Sequence, residues 1–415
     1  MKTIKINMTN RFVLILFACF LSQVSSGQDL ESYIQEAQQN NPDIQAVELR
    51  YNISEEKVNE SNTLPNTEVS AGYFISEPET RTGAQKARFS VKQMIPWFGT
   101  FSAREEYATS MAEADYVKLA ISKRKLALSV SETYYQLYAL QAKQNILDEN
   151  IELLKTYKEL ALTSVEVANA SAVDVLKLQI RQNELLQKKE VLRQDFIAKQ
   201  SAFNTLLNKN KEASVTVVDS LFLPSKKITS EVENLNLHPE LLQYDKLYES
   251  VAFSEELNQK ELQPNLGVGL DYIPVAERPD MNFTDNGKDI VMPMVSVSIP
   301  IFNSKYKSIS KQNKLKQQEI TAQKEEQKNK LENALKATQS RLETARITYN
   351  TQLKNLQQAK DAEEILLKNY ETGTIDFNDV LDIQELQLTF QMEQVEAVKT
   401  YFTQLATFNY LTTNE

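Results

Sequence analysis

The 415 residues carry a formal net charge of −10, with one cysteine, one histidine and eight glycines. This acidic balance, with a pI near 5.1, argues against a phosphate-binding role, so no nucleic-acid partner is expected. The single cysteine, Cys19, excludes a disulfide framework and any cysteine-rich metal site, and no cofactor or metal is expected.

In chain order, the N-terminus reads as a leader. Lys2, Lys5 and Arg11 precede the apolar run Phe12–Leu21, which is too short to span a membrane, and Ser25 and Gly27 stand at −3 and −1 of a cut before Gln28. A signal peptide is therefore expected over 1–27, and its loss leaves a mature charge of about −13. Lipidation of Cys19 is the competing outcome, disfavoured by the bulk of Phe17 and by the apolar run continuing past the cysteine. Nothing later in the chain is apolar for long enough to form a membrane helix, so any crossing must use strands.

Helix breakers are unevenly placed. No glycine or proline occurs from Thr100 to Leu223, from Phe302 to Thr372, or after Gly373; six of the seven glycines beyond the leader fall within about 65–99 and 264–301. Each window holds two alternating runs. Val69, Ala71, Tyr73 and Ile75 alternate with small or polar residues, as do Ala87, Phe89 and Val91. Leu266, Val268, Leu270 and Tyr272 repeat the pattern, followed by Val295, Val297 and Ile299. Period two with one polar face predicts hairpins at about 66–96 and 265–301, with strands of about nine to eleven residues, long enough to cross a bilayer at a tilt. Val297 is expected to face lipid, and Pro300 to end the last ladder.

The breaker-free stretches predict helices of about 90 Å (Thr100 to about Leu162) and about 100 Å (Ser304–Tyr370) at the α-helical rise. Apolar residues recur at three and four, as in Leu126, Val130, Tyr134, Leu137 and Leu140, giving a stripe suited to coiled-coil packing.

The chain also repeats itself. "LPNTEVSAGY" (64–73) matches "LQPNLGVGLDY" (262–272), "VKQMIPWFG" (91–99) matches "VSVSIPIFN" (295–303), and "ASAVDVLKLQ" (170–179) matches "IDFNDVLDIQ" (375–384). A period of about 200 residues exceeds any solenoid repeat, so residues 28–415 read as one domain built from two repeats, 28–230 and 231–415. Four strands cannot close a barrel, so several copies must pool them. Trp97, Phe98 and Phe101, and in the second repeat Phe302 and Tyr306, stand where a membrane-interface belt would sit.

The duplicated order, the "IPWFG" and "IPIFN" strand exits and the two "DVL" turns resemble the TolC-type outer-membrane efflux family. The resemblance covers essentially all of 28–415 and implies a mainly α protein with a membrane β-barrel portion. It implies a homotrimer, whose twelve strands form one barrel continuous with an α-helical periplasmic tunnel girded by a collar at about 209–236 and the C-terminal end. It further implies a passive exit duct for small molecules in the outer membrane of a Gram-negative bacterium. The family's partners are a periplasmic adaptor (membrane fusion protein), an inner-membrane transporter and outer-membrane lipid. The heavy-metal branch of the family and an exported coiled-coil scaffold are the alternatives.

Two tip turns follow, at about 163–174 and 370–379. The resemblance makes Asp379 and Asp382 the acids of the periplasmic aperture, where copies would form carboxylate rings that attract cations. The competing reading is capping: Asp376 as N-cap with Asp379 at N3, as Ser171 precedes Asp174. Ile375 replaces the basic residue that helps lock the mouth of the family's best-known exporter, which puts that salt bridge in doubt. Gly373 reads as a helix C-cap, and His238, before Pro239, as a solvated cap-region residue. Met292 and Met294 read as strand filler rather than a copper site. No Cys–His pair, metal-ligand cluster or nucleophile motif supports catalysis, so no enzyme is expected.

Overall fold

The computed structural model describes residues 30–166, 171–225, 232–280, 282–372, 374–375 and 377–412. The leader with Cys19, and the positions Gly373 and Asp376, lie outside the described residues. The elements are helices α1 (Leu30–Asn40) and α2 (Pro42–Ser61), and strands β1 (Glu68–Tyr73), β2 (Glu79–Thr80), β3 (Gly83–Ala84) and β4 (Ala87–Ile95). Helices α3 (Thr100–Glu166) and α4 (Ala172–Leu206) follow, then a 3-10 turn, Val232–Leu237, and α5 (Pro239–Glu261). Strands β5 (Asn265–Ile273) and β6 (Ile290–Ser298) and helices α6 (Ser304–Glu371) and α7 (Phe377–Thr412) complete the chain.

Helices α3 and α6 run 67 and 68 residues, both within stretches that lack glycine and proline, and α4 shares the first of them. Both shorter helices that begin with proline are capped by the preceding side chain. Asn41 Oδ1 accepts from the Asp43 N–H at 2.9 Å, and His238 Nδ1 accepts from the Glu240 N–H at 3.2 Å. His238 is 1% exposed, so the expectation of a solvated residue is corrected: a buried ring can act as a cap because the N–H satisfies its nitrogen.

The chain divides into two compact units. The first gathers Met1–Gln45, Ser122–Leu235 and Lys330–Glu415. Its core contains Leu147, Leu154, Tyr157 and Ala161 of α3, Leu178 and Leu185 of α4, Tyr370 of α6, and Phe377, Val380 and Leu388 of α7. Elsewhere in this unit Tyr33 meets Phe203 edge-on at 5.1 Å. The segment after α4 has no regular structure, yet its backbone N–H groups are taken by hydroxyls: Thr216 by Tyr33, Val218 by Tyr134 and Leu221 by Tyr138. Arg346 adds a bond to the Pro224 carbonyl at 2.6 Å, so this extended strap is tied down without a sheet partner.

The second unit, Ala46–Ile121 and Asn236–Asn329, holds the sheet. Its order is β1-β4-β5-β6, antiparallel throughout, so the two predicted hairpins lie side by side through β4 and β5. Three strands run nine residues, but β1 has six. Ile75, expected in β1, lies beyond it and is almost fully exposed, because the chain bends ahead of Pro78. β6 carries Pro293 inside it, tolerated at a sheet edge, and ends at Ser298, ahead of Ile299 and Pro300.

The polar connection in the first hairpin is not a plain loop. β2 and β3 form a two-stranded ribbon that reaches the other hairpin: Lys86 N–H donates to the Pro274 carbonyl at 3.0 Å and Ala276 N–H to Ala84 at 2.8 Å. Gly83 makes the approach possible. Its φ is +134°, and a Cβ there would stand 1.8 Å from the Ala276 carbonyl oxygen.

Candidate functional site

In the first unit the site is the pair of helix ends that precede α4 and α7. Ser171 Oγ accepts from the Val173 N–H at 3.2 Å while the Ser171 N–H donates to Asp174 Oδ2 at 3.4 Å, a capping box that starts α4. Asp174 is thereby spent on its own helix and is buried. At the other end, Thr374 N–H and its hydroxyl both donate to the Asn369 carbonyl, at 3.0 and 2.8 Å, closing the C-terminus of α6. Phe377 opens α7 as a wedge, 1% exposed, with Tyr370 at 4.8 Å and Tyr157 at 5.9 Å, both edge-on. Ile375 packs against this cluster.

With Phe377 inside, helical spacing sends Asp379 and Asp382 to the outer face. Both are exposed, and neither has a hydrogen bond or ion pair among the described residues. Asp379 lies in the first turn of α7, where a negative charge suits the helix dipole. The proposed N-cap, Asp376, is outside the described residues.

Three contacts next to the acids escaped the sequence reading. Lys177 Nζ donates to Asn378 Oδ1 at 2.7 Å, Arg181 pairs with Glu385 at 3.1 Å, and Arg181 also meets Glu184 of its own helix at 3.0 Å. The first two join α4 to α7 across about 200 positions, and only the repeat alignment of the two "DVL" turns hinted that these segments share a place.

In the second unit the register sorts the side chains by face. Ala71, Phe89, Tyr272 and Val291 share a row, as do Val69, Val91, Leu270 and Pro293. Val297 sits opposite Leu266 on this same apolar face. Val69, Val295 and Val297 are 75%, 80% and 53% exposed, so a broad apolar surface has no protein cover within one chain. The opposite face carries Arg88, Ser90, Lys92, Met94, Asp271, Met292, Met294 and Ser296. Arg88 pairs with Asp271, whose carboxylate is fully buried. β1 and β6 are edges, and neither is covered by another strand.

Beside the sheet, Trp97 is half-buried and meets Phe98 at 5.8 Å, while Phe98 and Phe302 are 80% and 90% exposed. Phe101 and Tyr306 are half-buried at the starts of α3 and α6. No helix among the described residues is long and apolar enough to cross a membrane, and no group of His, Cys, Asp and Glu among them could hold a metal ion.

Residues 33–209 match the outer membrane efflux protein family. Over that stretch the chain is similar to that family. The fold agrees with this match. The outer membrane protein VceC of Vibrio cholerae superposes with a TM-score of 0.71 at 17% identity, covering 92% of this chain and 95% of that one. The CmeC outer membrane channel of Campylobacter jejuni gives 0.71 at 15% identity, covering 93% and 86%. The MtrE outer membrane channel of Neisseria gonorrhoeae, solved in an open state, gives 0.71 at 15%, covering 92% and 88%. At such identities the likeness is one of fold. No curated protein matches the chain. For a chain similar to the outer membrane efflux protein family over 33–209, a strongly exposed apolar sheet face and two open sheet edges are the features that most need a physical account.

Proposed function

We propose that this chain is one subunit of a passive outer-membrane exit duct, the outer-membrane part of a tripartite efflux system. The supporting observation is the sheet, whose exposed apolar face is costly in water and whose bare edges are costly in lipid unless other copies complete them. Three copies would give twelve strands, β6 of each pairing with β1 of the next, with the apolar face toward lipid and the Arg88–Asp271 face toward the lumen. Trp97, Phe98, Phe101, Phe302 and Tyr306 would then anchor the barrel at the membrane interface. Residues 1–27 act as the export signal, and the two halves of 28–415 are structural repeats.

At the periplasmic end, Asp379 and Asp382 of each copy would ring the aperture as exposed carboxylates and favour cations there. Free energy for transport comes from an inner-membrane transporter, reached through a periplasmic adaptor. The family is a transport family rather than an enzyme class. The test is planar-bilayer recording of the purified chain. A duct gives steps of conductance, and Asp379→Ala with Asp382→Ala raises the step size and weakens block by divalent cations. Unchanged conductance and block in that variant overturns the aperture assignment, and absence of any step from the wild-type chain overturns the duct.

A further inference from the structure

The core of the first unit is interrupted by a layer of buried amides that neither repeat nor capping explains. Gln384 of α7 is 0% exposed, and Asn150 of α3 and Gln387 of α7 are 6% exposed each. Gln384 Nε2 donates to Asn150 Oδ1 at 2.7 Å, and Asn150 Nδ2 donates onward to Gln391 Oε1 at 3.1 Å and to the Ile146 carbonyl at 2.8 Å. One turn further round, Gln387 Nε2 donates to Glu363 Oε2 at 2.9 Å and to the Ala359 carbonyl at 3.1 Å, both on α6. The Tyr157 hydroxyl of α3 completes the set by donating to the other oxygen of Glu363. Gln384 Oε1 is buried and accepts no hydrogen bond among the described residues.

We propose that this amide layer, centred on Asn150, Gln384 and Gln391, is the key that fixes the axial register of α7 against α3 and α6, and so the position of Asp379 and Asp382. Gln384 and Gln391 are seven residues apart, two turns on one face, and Asn150 reaches between them. A four-residue slip of α7 takes Gln384 from Asn150 and sets Val380 or Leu388 in its place, leaving buried polar groups unpaired. Beyond the Phe377 wedge at its start, the aliphatic contacts of α7 do not resist such a slip. Val380 and Leu388 of α7 face Leu147 and Leu154 of α3 in one cluster, and a leucine stripe accepts its neighbour one turn on. Glu363, holding α3 through Tyr157 and α7 through Gln387, extends the lock to α6. Gln384 stands two residues after Asp382 on an unbroken helix, so a one-turn slip would carry both acids about 5.4 Å along the axis.

These are positioning residues, and their functional arm rests on the duct reading above, whereas the register arm does not. The test replaces Asn150, Gln384 and Gln391 together by leucine, so that no partner is left unpaired. A short bis-maleimide is applied to Lys143→Cys with Glu396→Cys, which replaces an ion pair of 2.8 Å between α3 and α7, and separately to Lys143→Cys with Glu393→Cys, one turn away. With the amide layer intact the first pair dominates. With leucines the two yields come within about threefold of each other, the melting temperature is unchanged or higher, and bilayer recordings show several conductance levels instead of one. An unchanged yield ratio overturns the proposal. If the leucine variant does not fold, the ratio is read in Gln384→Leu alone, where an unchanged ratio overturns it equally. A Lys143→Cys, Glu396→Cys chain with the amide layer intact that cross-links in register, from a wild-type chain that conducts nothing, would contradict the duct and leave the register key standing.

Discussion

At the residue scale, two positions carry sharp consequences. Gly83 combines φ of +134° with a carbonyl oxygen 1.8 Å from where a Cβ would sit. Gly83→Ala is expected to cost about 1–3 kcal/mol and to separate the ribbon from the opposite loop. Faster proteolysis between residues 77 and 87 in the folded protein is the readout. Val297 lies on the apolar face of β6, 53% exposed within one chain. Val297→Arg, one residue inside the end of β6 and so near the membrane interface, is expected to cost about 0–1 kcal/mol and to reduce insertion into vesicles. Ser296→Arg, on the other face of the same strand, serves as the control. Equal insertion of both variants would mean that the lipid-facing side has been assigned wrongly.

At the scale of elements, the contact of α3 with α7 responds to acid. Burial pushes the Glu396 carboxyl up, but hydrogen bonds and charge from Lys143 and Lys399 outweigh it, and the group ends below its ordinary value of 4.5. A carboxyl lowered in the folded state contributes stability that is present above the unfolded value and lost as pH falls through the folded one. Melting temperature should therefore drop on the acid side of 4.5, and Glu396→Gln should shrink that drop while leaving the Lys143 and Lys399 charges without this partner. An identical acid profile for Glu396→Gln would show that other carboxylates govern it. Such interhelical contacts were invisible in the sequence. Asn150 and Gln384 are polar residues in helical stripes 234 positions apart, and nothing local marks them as facing each other. The helices themselves were legible, because a chain without glycine or proline for some seventy residues has no punctuation to end them. Their ends were found within about four residues.

Across the whole molecule, alternation gave the strands and their two faces, since period two survives whatever lies on either side of the sheet. It did not give the β4–β5 pairing, the short β1 or the ribbon at β2 and β3. Those depend on backbone contacts between hairpins some 190 residues apart. His238 was misjudged for a related reason: a histidine beside a helix start carries no sign of its burial. The candidate aperture was legible only in part. Asp379 and Asp382 were singled out by likeness to a family, while Lys177 and Arg181, which bind the neighbouring turn, came from the fold alone. Charge reversal at Arg181 should therefore disturb the aperture. Arg181→Glu sets three carboxylates together with Glu184 and Glu385 and is expected to raise conductance, as like charges part the helix ends. Unaltered conductance would place this contact outside the gate.

The central claim is that single-chain sheets become one closed, lipid-embedded cylinder by association. The direct measurement is native mass spectrometry of the detergent-extracted chain, with bilayer recording from the same preparation. Three chains in each particle and one conducting pore for each insertion event is the expected result. A monomer that stays in the aqueous phase and conducts nothing would contradict the account.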